Sequence, residues 1–158
     1  MADALYELRR VAAAMANAGL EGVLIGNAGA ALQGAPVGAT DLDFFVRSTR
    51  LNKKKILAVA KELGGFAHQP SAPLSYMKYR IDGTTFPIDM VIGAHGIESF
   101  KGLRSRSTVL PLGNGRLVHV AALGDIIRSK RAAARPKDLA TLPILEKTLH
   151  EKERQEKA

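Results

Sequence analysis

Cysteine is missing from the 158-residue chain, which excludes a disulfide framework, a thiolate metal site and a cysteine nucleophile. Aromatic residues make up only 5%, which argues against a stacking platform for single-stranded nucleic acid. No apolar run approaches the roughly 20 residues that span a bilayer. The opening Met-Ala-Asp-Ala-Leu-Tyr-Glu-Leu-Arg-Arg places acids before its arginines and lacks a basic segment followed by an apolar block, so no secretory signal is expected. The expectation is a cytoplasmic protein that does not engage a membrane.

What is present is ordinary globular material. Hydrophobic residues reach 46% and charged ones 24%, so wholesale disorder is excluded. A chain of this length suits one domain and buries about 70% of its unfolded surface. The charge is more telling. Lys and Arg number 23 against 15 acids, a formal net charge of +8. From Glu146 onward four Glu face three Lys and one Arg, so the excess lies in the body of the chain. Such a body favours anionic partners, nucleotides and nucleic acid among them.

Periodicity predicts a helix from Asp3 to about Ala18, with Leu5, Leu8, Val11, Ala12 and Met15 on one stripe. Val23-Leu24-Ile25 reads as a buried strand, and the small residues from Gly26 to Gly34 as a turn and short helix. Leu42, Phe44, Phe45 and Val46 form a second strand, and Leu51 to Leu63 a helix. Tyr76–Ile81 and Phe86–Ile92 read as strands joined by a two-residue turn at Asp82-Gly83, with Pro87 marking an edge. A second hairpin crosses Asn114-Gly115, between Ser107–Leu112 and Arg116–Val120. Helices follow near Leu123–Ala134 and Lys137–Lys152, separated at Pro136. The last of these alternates acids and bases and is expected to be solvent-exposed, without a docking face.

The chemistry concentrates in Leu24-Ile25-Gly26-Asn27, thirteen residues, then Asp41-Leu42-Asp43-Phe44-Phe45-Val46. Strand side chains alternate faces, so Asp41 and Asp43 point the same way, roughly 6.6 Å apart. Asp89 lies in the apolar run Phe86-Pro87-Ile88-Asp89-Met90-Val91-Ile92. If the two strands are neighbours, all three carboxylates meet on one face. At ~5 Å and an effective dielectric of 20 each pair repels by about 3 kcal/mol. Bound cations or protonation normally offset that repulsion. Oxygen-only ligands favour Mg²⁺ or Mn²⁺, and two such ions suit phosphoryl displacement. Upstream, Gly26 lets the backbone approach a phosphate closely.

These residues, in this order and spacing, resemble the polymerase-beta-type nucleotidyltransferase superfamily. More narrowly, Ile25-Gly26-Asn27-Ala28, Ala31-Leu32-Gln33-Gly34-Ala35-Pro36, Thr40-Asp41-Leu42-Asp43, Asp125-Ile126-Ile127-Arg128-Ser129-Lys130 and Arg135-Pro136-Lys137-Asp138-Leu139 are similar to small prokaryotic single-domain members related to abortive-infection and toxin–antitoxin enzymes. The resemblance covers roughly residues 20–145. It implies an α+β nucleotidyltransferase fold, a mixed sheet flanked by helices, with a core at about 20–120 and C-terminal helices at about 122–154. It also implies transfer of a nucleoside monophosphate from an NTP to a hydroxyl acceptor, with release of pyrophosphate. Asp41, Asp43 and Asp89 are then the catalytic and metal residues, holding two Mg²⁺ or Mn²⁺ ions. Gly26, Asn27, Thr40, Lys130 and Lys137 are the nucleotide-binding set. The usual second Gly or Ser is Asn27, whose amide can donate an N–H instead.

Plainer readings stand beside these. Two acids can end a solvent-facing strand, and Asp82 reads as a turn residue. Asp125 and Asp138 sit where helix caps sit. His68, His95 and His119 show no metal-like spacing and no Ser or Asp partner in the pattern. Arg47, Arg50 and Lys53–Lys55, with Arg104, Arg106, Arg128, Arg131 and Arg135, form either a solvated face or a groove for an RNA acceptor such as a tRNA end. A protein or small-molecule hydroxyl fits equally. The alternative function is a catalytically silent nucleotide- or RNA-binding module of the same fold, working with a partner protein.

Overall fold

The computed structural model describes residues 2–70 and 78–158. Helix α1 (Ala2–Ala18) turns Leu8, Val11 and Met15 inward at helical spacing. Strand β1 (Val23–Ile25) runs directly into the short α2 (Gly26–Leu32), and β2 (Leu42–Phe45) follows. Helix α3 (Arg50–Glu62) starts at Thr49, whose side chain accepts from Asn52 N at 3.0 Å. After β3 (Phe66–His68) come β4 (Lys78–Asp82) and β5 (Ile88–Val91). The chain continues through α4 (Phe100–Ser105), the hairpin β6 (Thr108–Gly113) and β7 (Arg116–Val120), then α5 (Leu123–Ala133) and α6 (Pro136–Glu156). None of the described helices is long and apolar enough to cross a membrane.

The strands form one mixed sheet in the order β3-β4-β5-β2-β1-β7-β6. The β2–β5 and β1–β7 pairs are parallel, and the other pairs antiparallel. Alternation sorts the side chains. Leu24, Leu42, Phe44, Ile81, Ile88 and Met90 join α1 and α3 in one core. Ile25 and Phe45, from the opposite face, join Leu103, Ile126, Leu142 and Leu145 in a second. The acids on β2 and β5 therefore share the face that α5 and α6 approach.

Several expectations need correction. Asp82-Gly83 is not a two-residue turn: β4 runs on through Asp82, which pairs with Phe66, and the chain reverses over residues 83–87. Nor does Pro87 mark an edge. β5 lies between β4 and β2; Pro87 immediately precedes it, where a missing N–H costs nothing, and its carbonyl accepts from Leu42 N at 3.0 Å. Tyr76 and Met77, the expected start of β4, lie outside the described residues. The three-residue β3 and six-residue α4 are too short for a periodic signal.

The last helix is not merely a solvated rod. Leu142 and Leu145 are buried, contributing roughly 1.5–3 kcal/mol each, so α6 docks against the core. Two turns behave as the sequence suggests. Asn114 and Gly115 take φ 55 and 72, the pattern of a tight hairpin, and Ala134 at φ 53 separates α5 from α6.

Candidate active site

Parallel pairing of β2 with β5 sets Asp43 directly opposite Asp89. Asp41, just before β2, lies on the same face. One carboxylate oxygen from each of the three falls within 4.8 Å of the others. Two cations from β4 meet this cluster. Arg80 donates through Nε and Nη2 to the two oxygens of Asp89, at 2.8 and 2.9 Å. Lys78 Nζ reaches Asp89 Oδ2 at 3.3 Å, and Arg80 lies 3.9 Å from Asp41.

The two paired acids are driven apart in acidity. Burial, with the Asp41 and Asp89 charges beside it, pushes the Asp43 carboxyl up to about 7. Burial alone would raise Asp89 as well, but Arg80 and Lys78 hold it below the usual carboxylate range. An all-oxygen donor set this tight, with one member resisting ionisation, fits a hard divalent cation such as Mg²⁺ or Mn²⁺.

Gly26 sits at the junction of β1 and α2 with φ +68, and an added Cβ would lie 2.6 Å from Asp43 Oδ2. Glycine is required there twice over, for its backbone angle and for its closeness to the acid. Gly26→Ala is expected to displace Asp43 and to lower the melting temperature, which thermal unfolding measures. Asn27 beside it donates Nδ2 to the Gly38 carbonyl at 3.2 Å, while its Oδ1 is buried without a partner. One amide N–H expected for phosphate is therefore engaged within the chain.

A cavity of about 380 Å³ opens above the acids. Gly26, Asn27, Thr40, Asp41, Asp43, Asp89, Lys130 and Lys137, chosen from sequence, all line it. Lys130 projects from α5 and is half-buried, its Nζ 3.6 Å from Asp138. Burial lowers its pKa, and Asp138 partly offsets that. Asp138 does act at a helix start, accepting from Arg135 N at 3.2 Å. It is also fully buried and takes Arg135 Nε at 2.6 Å.

Sequence reasoning missed Lys78 and Arg80, although their two-residue spacing on a strand beside Asp89 was the available signal. Asp125 does not cap α5 but lies in its first turn, where an acid suits the helix dipole, and is a buried anchor for Arg106 and Arg128. The basic residues do not form one groove. Arg135 lines the cavity, whereas Arg47 pairs with Glu21 and lies over the Phe100 ring, and Arg131 pairs with Glu146. His68, expected without an acidic partner, pairs with Asp82.

No protein-family model and no curated protein sequence matches the chain. Solved structures do. The antibiotic-resistance factor ANT(2'')-Ia in solution superimposes with a TM-score of 0.67 at 14% identity, covering 94% of this chain and 85% of that one. The crystal structure of ANT(2'')-Ia in complex with adenylyl-2''-tobramycin gives 0.66, also at 14% identity, covering 93% and 90%. The fold is that of a nucleotidyltransferase. Within this nucleotidyltransferase fold, the carboxylates come from the sheet and the facing cations from β4 and the two C-terminal helices.

Proposed function

We propose that the protein is a metal-dependent nucleotidyltransferase. The observation that carries this reading is the register of β2 on β5, which brings Asp41, Asp43 and Asp89 together in a nucleotidyltransferase fold. Asp41, Asp43 and Asp89 would hold two Mg²⁺ or Mn²⁺ ions. Such ions stabilise charge on both the attacking and the leaving oxygen. Gly26, Asn27 and Thr40 bind the triphosphate from one side, and Lys130 and Lys137 neutralise it from above. The acceptor hydroxyl oxygen bonds to the α-phosphorus, and the bond to the bridging oxygen breaks, releasing pyrophosphate. The hydroxyl proton passes to the carboxylate cluster. Asp89 orients the attacking hydroxyl, because its oxygens are fixed by Arg80.

The adenylylated tobramycin in the neighbour's crystal supports nucleotidyl chemistry on this fold. Five acids, Asp41, Asp43, Asp89, Asp125 and Asp138, line the cavity beside Lys78, Arg80, Lys130, Arg135 and Lys137, so its charge does not choose among hydroxyl acceptors. The narrower likeness to abortive-infection and toxin–antitoxin enzymes, and a cytoplasmic partner protein with it, rests on the motifs of the sequence.

The test is incubation of pure protein with each labelled NTP, Mg²⁺ or Mn²⁺, and total cellular RNA and protein. Label entering an acceptor, with pyrophosphate released, is the expected result. Binding of NTP without turnover under either metal would instead favour the silent nucleotide-binding module, to which Asn27 in place of the usual Gly or Ser points.

A further inference from the structure

We propose that Arg80 competes with the second metal ion for Asp89. It holds that carboxylate while a first ion binds at Asp41 and Asp43, and yields one Asp89 oxygen to a second ion only when nucleotide is bound. The proposal rests on the nucleotidyl-transfer reading and adds an order of assembly to it.

The backbone ladder sets Arg80 directly opposite Asp89, so their meeting is built into the register of β4 on β5. Arg80 Nε and Nη2 reach one oxygen each, at 2.8 and 2.9 Å, and Lys78 Nζ adds a third donor at 3.3 Å. A two-point guanidinium fork is among the strongest partners a carboxylate finds. The Asp89 side chain is only 3% exposed, so solvent screens these bonds little. Asp41 meets Arg80 more loosely, at 3.9 Å. The oxygens of Asp41 and Asp43 are therefore the readier pair for a first ion.

Charge then sets the order. Three carboxylates meet two cations from β4, which leaves one negative charge in the cluster. The other acids lining the cavity have cations of their own: Asp125 holds Arg106 and Arg128, and Asp138 holds Lys130 and Arg135. Lys137 lines the cavity as well. A first divalent ion thus turns the cluster positive. A second enters against that charge and beside the guanidinium, which at an effective dielectric of 20 weakens it by on the order of tenfold or more. A triphosphate supplies the negative charge that the second ion lacks. It also offers an anionic partner to Arg80, which lines the same cavity and keeps 30% of its side chain exposed. The bond that Arg80 retains to Asp89 keeps the carboxylate oriented.

The test counts Mn²⁺ ions by electron paramagnetic resonance, with no acceptor present. Two ions roughly 3.5–4 Å apart couple their spins, which separates a pair from a lone ion. The wild type is expected to show one lone Mn²⁺ without nucleotide and a coupled pair once a non-hydrolysable NTP analogue is added. Arg80→Gln is expected to form the pair without nucleotide, holding the second ion about tenfold or more tighter than the wild type does. Arg80→Lys keeps the charge and loses the fork, so its second-ion affinity falls between the two, and it carries the comparison if Arg80→Gln does not fold. Loss of a merely structural ion pair would loosen the site, not tighten its hold on metal.

A coupled pair in the wild type without nucleotide, no bound Mn²⁺ at all, or a wild-type second-ion affinity in both variants overturns the competition, whether or not label is transferred. The expected ion counts with no transfer to any acceptor keep the role of Arg80 and remove the enzymatic reading.

Discussion

Asp43→Asn is expected to abolish the proposed nucleotidyl transfer, by on the order of a thousandfold or more, and to leave a folded protein. The aspartate holds the centre of the cluster, opposite Asp89 and against Gly26. An amide keeps its shape and removes its charge. Asp41→Asn is expected to act in the same direction. Transfer of label from NTP measures the loss, and retained activity in either variant would remove the mechanism.

The same substitution has an opposite effect on stability. The folded Asp43 carboxyl is raised to about 7 from its ordinary 3.8, so the folded chain holds this proton more tightly than the unfolded one. That stabilisation is full below about pH 4 and lost as pH rises through about 7. An asparagine stays neutral throughout. In chelator, Asp43→Asn is therefore expected to melt higher than wild type at about pH 8 and nearly with it at about pH 4. Adding Mg²⁺ at the higher pH is expected to raise the wild-type melting temperature and to move the variant far less.

Asp138→Ala is the variant with the largest expected loss of stability, about 3–5 kcal/mol. Asp138 is completely buried and accepts from Arg135 Nε and Nη2 at 2.6 and 3.2 Å and from Arg135 N at 3.2 Å, with Lys130 3.6 Å away. Burial alone would raise its pKa, but Arg135 and Lys130 keep it below the usual carboxylate range. Removing it strands the half-buried Lys130 charge and releases the first turn of α6. Denaturant unfolding measures the loss. A weaker NTP-induced thermal shift in Asp138→Asn, which retains more of the packing, separates loss of Lys130 placement from loss of fold. An unchanged shift would show that Lys130 does not need Asp138 to reach the nucleotide.

The acidic row was legible because it depends on the shortest period in protein structure. Asp41 and Asp43 share a face whenever Leu42 and Phe44 are buried, and both are. Asp89 could be chosen because an acid inside an apolar strand needs a reason. The register that unites the two strands is a tertiary fact, which local pattern states only as a condition. Asp138 shows the opposite limit. Its place at a helix start was readable, but its burial follows from docking of α6 through Leu142 and Leu145, residues hidden in a charged and irregular pattern. Phe66, and the pairing of His68 with Asp82, escaped notice because three residues carry no periodicity. Arg80 and Lys78 became meaningful only once β4 lay beside Asp89.

The acids and the two C-terminal helices that approach them are far apart in synthesis. The ribosome makes Asp41, Asp43 and Asp89 first, while Asp138, which holds Lys130 over them, follows roughly 3–10 s later at ordinary elongation rates. Strand β7, which lies parallel to β1 through Val120 and Leu24, is also late. A nascent chain that has passed Asp89 thus carries the acids without the helical roof. On the proposed function, this topology delays nucleotide capture until the helical roof has emerged and docked.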